Sequence, residues 1–218
     1  MQVKVCGLTT SENIESILSL GVDYVGLIFY PPSKRYVGDG DLAAWLTAHE
    51  SLFADVKKVG VFVNAEVDYI LNCVHDYQLD YVQLHGDESP GYCQELQLLW
   101  SVSTLRRAAL VKAFSVTPDF DFSTTAPYAP TCEFFIFDTG GRAEKGGTGA
   151  QWDWAQLDDY TGSTPFLLSG GIGPRDAERV LGVKHPQLLG VDLNSRFEAG
   201  PGVKDVSLLR AFLGDLQG

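Results

Sequence analysis

A chain of 218 residues carrying a formal net charge of −12 has room for one domain with a large core, or for two small ones. Hydrophobic residues make up 45% and charged residues 20%, as in an ordinary water-exposed globular protein, and no run approaches the roughly 20 apolar residues of a membrane span. The acidic balance argues against nucleic acid or an anionic membrane as a partner, so an anionic small molecule would need a local positive site.

The N-terminal "MQVKV" has no basic segment followed by an apolar core, which predicts a cytoplasmic protein. Four cysteines, Cys6, Cys73, Cys93 and Cys132, lack C-x-x-C spacing. They read as reduced thiols rather than a disulfide frame or zinc site, and the last three read as small buried hydrophobes.

In chain order, eight short runs rich in Val, Ile, Leu, Phe and Tyr read as strands. They are residues 3–9, 24–30, 58–63, 81–86, 110–116, 134–139, 165–171 and 188–195. Each is apolar on both faces, as in a parallel sheet covered by helices. Between them lie helix signals. Thr9 and Glu12 have capping-box spacing with Gly21 as the stop, Ser89-Pro90 starts a second helix, and Pro174 opens a third that ends at Gly182.

Eight strands alternating with helices in this length predict a single (β/α)8 TIM barrel of parallel strands spanning 1–218. The alternative is a doubly wound open sheet. It usually needs fewer strands, and no G-x-G-x-x-G follows the first run. Two long connections, 31–40 ("PPSKRYVGDG") and 140–151 ("GGRAEKGGTGAQ"), follow strand ends and would lie on the catalytic face of such a barrel.

In a barrel the residues to inspect end the strands: Cys6, Tyr30, Asn64, His85, Phe114, Asp138, Gly170 with Gly171, and Asn194 with Ser195. The loops after strands seven and eight are the usual phosphate cradle of this fold. "SGGIGP" lets backbone N–H groups approach an anion, "NSRFE" adds side-chain donors, and a nearby helix N-terminus would add its dipole.

Strands one and six flank that pair. A barrel backbone roughly 15 Å across leaves a gap about one small ring wide between side chains reaching in from opposite walls. Cys6 and Asp138 facing each other over a phosphate-anchored sugar suit paired general base and general acid work. The residues alone leave the bland reading open, with Cys6 as packing and Asp138 as a cap. Metal chemistry is the weaker reading, because of the four histidines only His85 ends a strand.

The segments "KVCGLT", "GLIFYPPSKRYV", "KKVGVFVN", "DYVQLHGDES", "FDTGG…KGGTG…WDW", "LSGGIGP" and "GVDLNSRFE…PGVKD", in that order, resemble phosphoribosylanthranilate isomerase over nearly the whole chain. The resemblance implies a barrel that isomerises N-(5-phosphoribosyl)anthranilate in tryptophan biosynthesis by an Amadori rearrangement, without metal or organic cofactor. It implies Cys6 as general base and Asp138 as general acid. It also implies Arg35 on the anthranilate carboxylate, Gln83 and His85 lining the pocket, and residues 146–149, Gly147 among them, as a loop over the substrate.

The expected partner is a phosphorylated small molecule, bound by a monomer or homodimer. One departure stands out: Arg196 follows Ser195 where relatives commonly carry a small residue. Two readings compete with the isomerase: another phosphosugar isomerase or epimerase, and a non-catalytic barrel that binds phosphorylated ligands.

Overall fold

The computed structural model describes residues 1–38, 40–102, 106–139 and 151–218. Eight parallel strands close into a barrel in chain order: β1 (Gln2–Cys6), β2 (Tyr24–Ile28), β3 (Lys57–Phe62), β4 (Tyr81–Leu84), β5 (Ala109–Val116), β6 (Cys132–Thr139), β7 (Phe166–Leu168) and β8 (Leu188–Leu193). The ring shuts where β1 pairs with β8, Lys4 against Asp192. Closure leaves the barrel itself no edge strand and excludes the open-sheet alternative.

Among the described residues, six α-helices cover the outside: α1 (Ser11–Leu18), α2 (Leu42–Ala48), α3 (Val67–Asp76), α4 (Pro90–Val102), α5 (Ala177–Gly182) and α6 (Val206–Gln217). Among the described residues, the crossovers from β5 to β6 and from β6 to β7 carry 3-10 turns, Phe122–Tyr128 and Trp154–Asp159, rather than α-helices. A short hairpin, β9 (Glu198–Gly200) with β10 (Val203–Lys204), follows β8. Among the described residues, no helix is long and apolar enough to cross a membrane.

The eight strand runs form; β5 and β6 reach the expected last residues, and the other six end earlier, their last residues lying in the connections that follow. Two helix starts differ from expectation. Thr10, not Thr9, caps α1 by accepting from the Asn13 N–H, because the Thr9 hydroxyl donates to the Gly202 carbonyl at 2.9 Å. The helix predicted to open at Pro174 begins at Ala177, since Asp176 first accepts the Gly173 N–H at 2.7 Å and shapes the turn. Ser89 does cap α4, receiving the Tyr92 N–H at 3.2 Å.

The strand period of two sorts each run between two cores. Facing the helices is the larger one, which includes Val3, Val5, Val25, Leu27, Phe135 and Phe137. Inside the barrel, Tyr24, Val59, Val111, Ala113, Phe134, Ile136 and Leu167 form a second core. At its floor Tyr24, Tyr81 and Phe134 meet pairwise, with centroids 5.5–5.7 Å apart.

Full burial of each aliphatic side chain in this core contributes about 1.5–3 kcal/mol. The same alternation continues upward out of the core. Phe134 and Ile136 share their face with Asp138, and Tyr81 shares its face with Gln83. Lys4 and Cys6 likewise alternate with the outward Val3 and Val5. The inner face of the strands therefore runs from apolar floor to polar mouth. Phe114 falls out of phase and is a correction to the strand-end candidates: it packs outside against Tyr128 and Phe135.

Candidate active site

Cys6 ends β1 almost wholly buried. Its register partner on β2 is Gly26, where a Cβ would stand 2.7 Å from the sulfur, so glycine there makes room for the thiol. Gly7 turns the chain with φ +78°, and a Cβ on it would lie 2.6 Å from Arg35 Cδ and 2.8 Å from Asn194 Oδ1. Position 7 thus requires glycine twice, for its left-handed backbone and for the close approach of two site residues.

Arg35 comes from the loop after β2, where the Ser33 hydroxyl accepts its backbone N–H at 3.1 Å. Its guanidinium grips Glu198 through Nε at 2.7 Å and Nη2 at 2.6 Å, a side-on fork. Glu198 also accepts from Lys204 Nζ at 2.6 Å, and Lys204 in turn donates to Asn194 Oδ1 at 2.7 Å.

Burial works against the Glu198 charge, but hydrogen bonds from Arg35 and Lys204 outweigh it and hold the carboxyl below its usual range. For Lys204, burial wins and lowers its pKa.

Glu198 and Lys204 join this cluster through Arg35 and Asn194, and strand-end reasoning missed them. Their signal was present in "EAGPGVK", two short segments joined through Pro201-Gly202, with Gly202 at φ +85° as a tight turn demands.

On the opposite wall Asp138 caps its own strand end, with Oδ1 accepting the Thr139 N–H at 2.8 Å. His85, docked by its N–H on the Phe62 carbonyl, brings Nε2 to 3.4 Å from Asp138 Oδ2. The Gln83 amide nitrogen lies 3.1 Å from His85 Nδ1. With that amide donating, His85 carries its proton on Nε2, toward the carboxylate. Gln83 Oε1 is buried without a partner among the described residues, an acceptor open to a ligand donor.

Behind His85 the buried Glu88 clamps the turn, accepting from Asn64 N at 2.8 Å, Gly86 N at 2.9 Å and Lys112 Nζ at 3.2 Å. Asn64 serves that clamp at φ +49°, so it supports the mouth from outside.

Residues 3–215 match the family described as N-(5'-phosphoribosyl)anthranilate (PRA) isomerase. The chain belongs to that family. The N-(5'-phosphoribosyl)anthranilate isomerase of Parabacteroides distasonis is 43% identical over 214 residues, covering 98% of this chain and 92% of that protein. The crystal structure of phosphoribosyl anthranilate isomerase from Thermus thermophilus superposes with a TM-score of 0.83 at 28% identity, covering 100% of this chain and 98% of that one. Another isomerase of the family was solved in complex with reduced 1-(o-carboxyphenylamino)-1-deoxyribulose 5-phosphate. It gives a TM-score of 0.79 at 31% identity, covering 100% of this chain and 99% of that one.

The loops after β7 and β8 sit beside the Cys6–Asp138 mouth. After β7, Ser169 docks on the Phe137 carbonyl, and Gly170 and Gly171 take φ +94° and +68°. A Cβ on Gly170 would meet the Thr139 backbone nitrogen at 2.7 Å, so the isomerase needs glycine where this loop crosses β6. Asn194 and Ser195 follow β8, and Ser195 starts a three-residue 3-10 turn instead of a full helix. Arg196 beside them is exposed. Gly147 and the rest of 146–149 lie outside the described residues. The remaining site candidates, Cys6, Arg35, Gln83, His85, Asp138, Gly170, Gly171, Asn194 and Ser195, come together at one end of the barrel.

Proposed function

We propose that this isomerase, acting as a single catalytic domain, converts N-(5-phosphoribosyl)anthranilate to 1-(o-carboxyphenylamino)-1-deoxyribulose 5-phosphate in tryptophan biosynthesis, with Cys6 as base and Asp138 as acid. What supports this reading is that the inward faces of β1 and β6 carry a thiol and a carboxyl at one mouth. Gly170, Gly171, Asn194 and Ser195 would hold the phosphate through backbone and side-chain donors. The end-on edge of Arg35 would hold the anthranilate carboxylate, while Gln83 lines the ring of the sugar and anilide.

In the first step Asp138 gives its proton to the furanose ring oxygen. The C1′–O4′ bond breaks as the anilino nitrogen lone pair forms C1′=N, leaving Asp138 ionised beside the His85 Nε2–H. Cys6, as thiolate, then takes the C2′ proton, and the freed pair makes the C1′=C2′ enamine while nitrogen recovers its lone pair. The enol at C2′ then gives its hydroxyl proton to the Asp138 carboxylate as C1′ takes a proton from the Cys6 thiol, which yields the aminoketose and restores both groups. Substrate nitrogen is the electron source throughout, so the residues named need no cofactor.

Arg35 supplies substrate binding more than chemistry in this reading. Arg35→Ala is expected to raise KM by about ten- to a hundredfold, as loss of a charge-assisted fork does, with kcat much less affected. An unchanged KM for N-(5-phosphoribosyl)anthranilate would contradict the orientation proposed.

A further inference from the structure

Lys4 is fully buried inside the barrel, where a lone ammonium is not tolerated. It precedes Cys6 by two residues on β1, so the pleat turns both side chains to the same face. Asp192, its register partner on β8, accepts from Nζ at 2.9 Å. The Lys4 charge acts on the Cys6 thiol, pulling its pKa down against the burial that raises it.

The charges around that sulfur come from four elements: Lys4 on β1, Asp192 on β8, Lys204 on β10, and Arg35 from the loop after β2. Glu198 on β9 is bound to both Arg35 and Lys204, while Asp138 and His85 face Asp192 from across the mouth. Three cations therefore stand against two carboxylates on the Cys6 side. With a neutral thiol that group holds one surplus positive charge in the unliganded protein. With a thiolate it is balanced.

We propose that Lys4 is the counter-ion and positioning residue of the Cys6 thiolate: Asp192 anchors the ammonium, and the ammonium aims the sulfur and opposes its charge. The proposal rests on Cys6 being the base. Burial pushes the Cys6 thiol above its ordinary range, Lys4 pulls it down, and Asp192 pushes it up again. A counter-ion role and a space-filling role consequently predict different signs for different substitutions.

The experiment measures the rate of Cys6 alkylation by iodoacetamide against pH, read by mass spectrometry of the Cys6 peptide. It uses the wild-type protein, Lys4→Met, Asp192→Asn and the double variant, with kcat and KM measured alongside. Lys4→Met is expected to raise the alkylation midpoint by about 1–3 pH units, the usual effect of losing an adjacent opposite charge. Asp192→Asn is expected to lower the midpoint, since it removes the competing carboxylate while leaving an oxygen for Lys4.

At neutral pH, kcat of Lys4→Met is expected to fall about tenfold or more, following the thiolate fraction, with KM little changed. Midpoints unmoved in both single variants, or moved in the same direction, would overturn the inference. Should Lys4→Met fail to fold, Asp192→Asn and the double variant still decide it. A midpoint that does not fall in Asp192→Asn, or does not rise from Asp192→Asn to the double variant, would overturn it. Turnover retained by Cys6→Ala would instead overturn the base assignment itself, whatever Lys4 does to the titration.

Discussion

Cys6→Ala is expected to lower kcat by about 10²- to 10⁴-fold, the range for removing a positioned general base. The substitution deletes one buried sulfur atom beside Gly26, a small core truncation with a cost of about 1 kcal/mol in stability. The barrel should therefore persist, its thermal midpoint moving by only a few degrees. The loss belongs in kcat rather than KM, because the thiol acts on the C2′ proton and holds no charged group of the substrate. A folded Cys6→Ala protein with near-normal kcat would remove Cys6 from the chemistry and return it to packing.

Asp138→Asn is expected to lower kcat over a similar range, about 10²- to 10⁴-fold, through loss of the proton given to the ring oxygen. Asparagine keeps the shape and an oxygen for the Thr139 N–H, so the end of β6 should hold its geometry. Its amide has no acidic proton, and steady-state kinetics on folded protein checks the effect. If kcat survived, the acid would have to be His85, whose Nε2 stands 3.4 Å from the carboxylate. Adding His85→Ala to the same assay would then separate the two.

The barrel was legible in the sequence because each strand is apolar on both faces and each run is short. The catalytic face was legible for a related reason. In "FFIFDT" the inward Phe134 and Ile136 are followed two residues later by Asp138, and in "YVQLH" Tyr81 leads to Gln83 on the same phase. Phe114 also ends a strand, but on the outward phase, which strand-end position alone does not show.

Pairings distant in the chain were not legible. Arg35 meets Glu198 across 163 positions, and Lys4 meets Asp192 across 188, contacts set by ring closure and by the β9–β10 hairpin rather than by local pattern. Local competition explains the helix starts. Thr9 is diverted to the Gly202 carbonyl, so Thr10 caps α1, while the Asp176 side chain is held in the turn after β7, so α5 starts without a side-chain cap.

The roles given to Cys6, Asp138 and Arg35 all presuppose one reaction at this mouth. The most direct test adds purified folded protein to N-(5-phosphoribosyl)anthranilate and follows anthranilate fluorescence with no metal or organic cofactor supplied. The account predicts enzyme-dependent loss of fluorescence at a rate proportional to protein concentration and saturating with substrate. Fluorescence that stays at the level of the protein-free control, while circular dichroism shows the barrel folded, would contradict it.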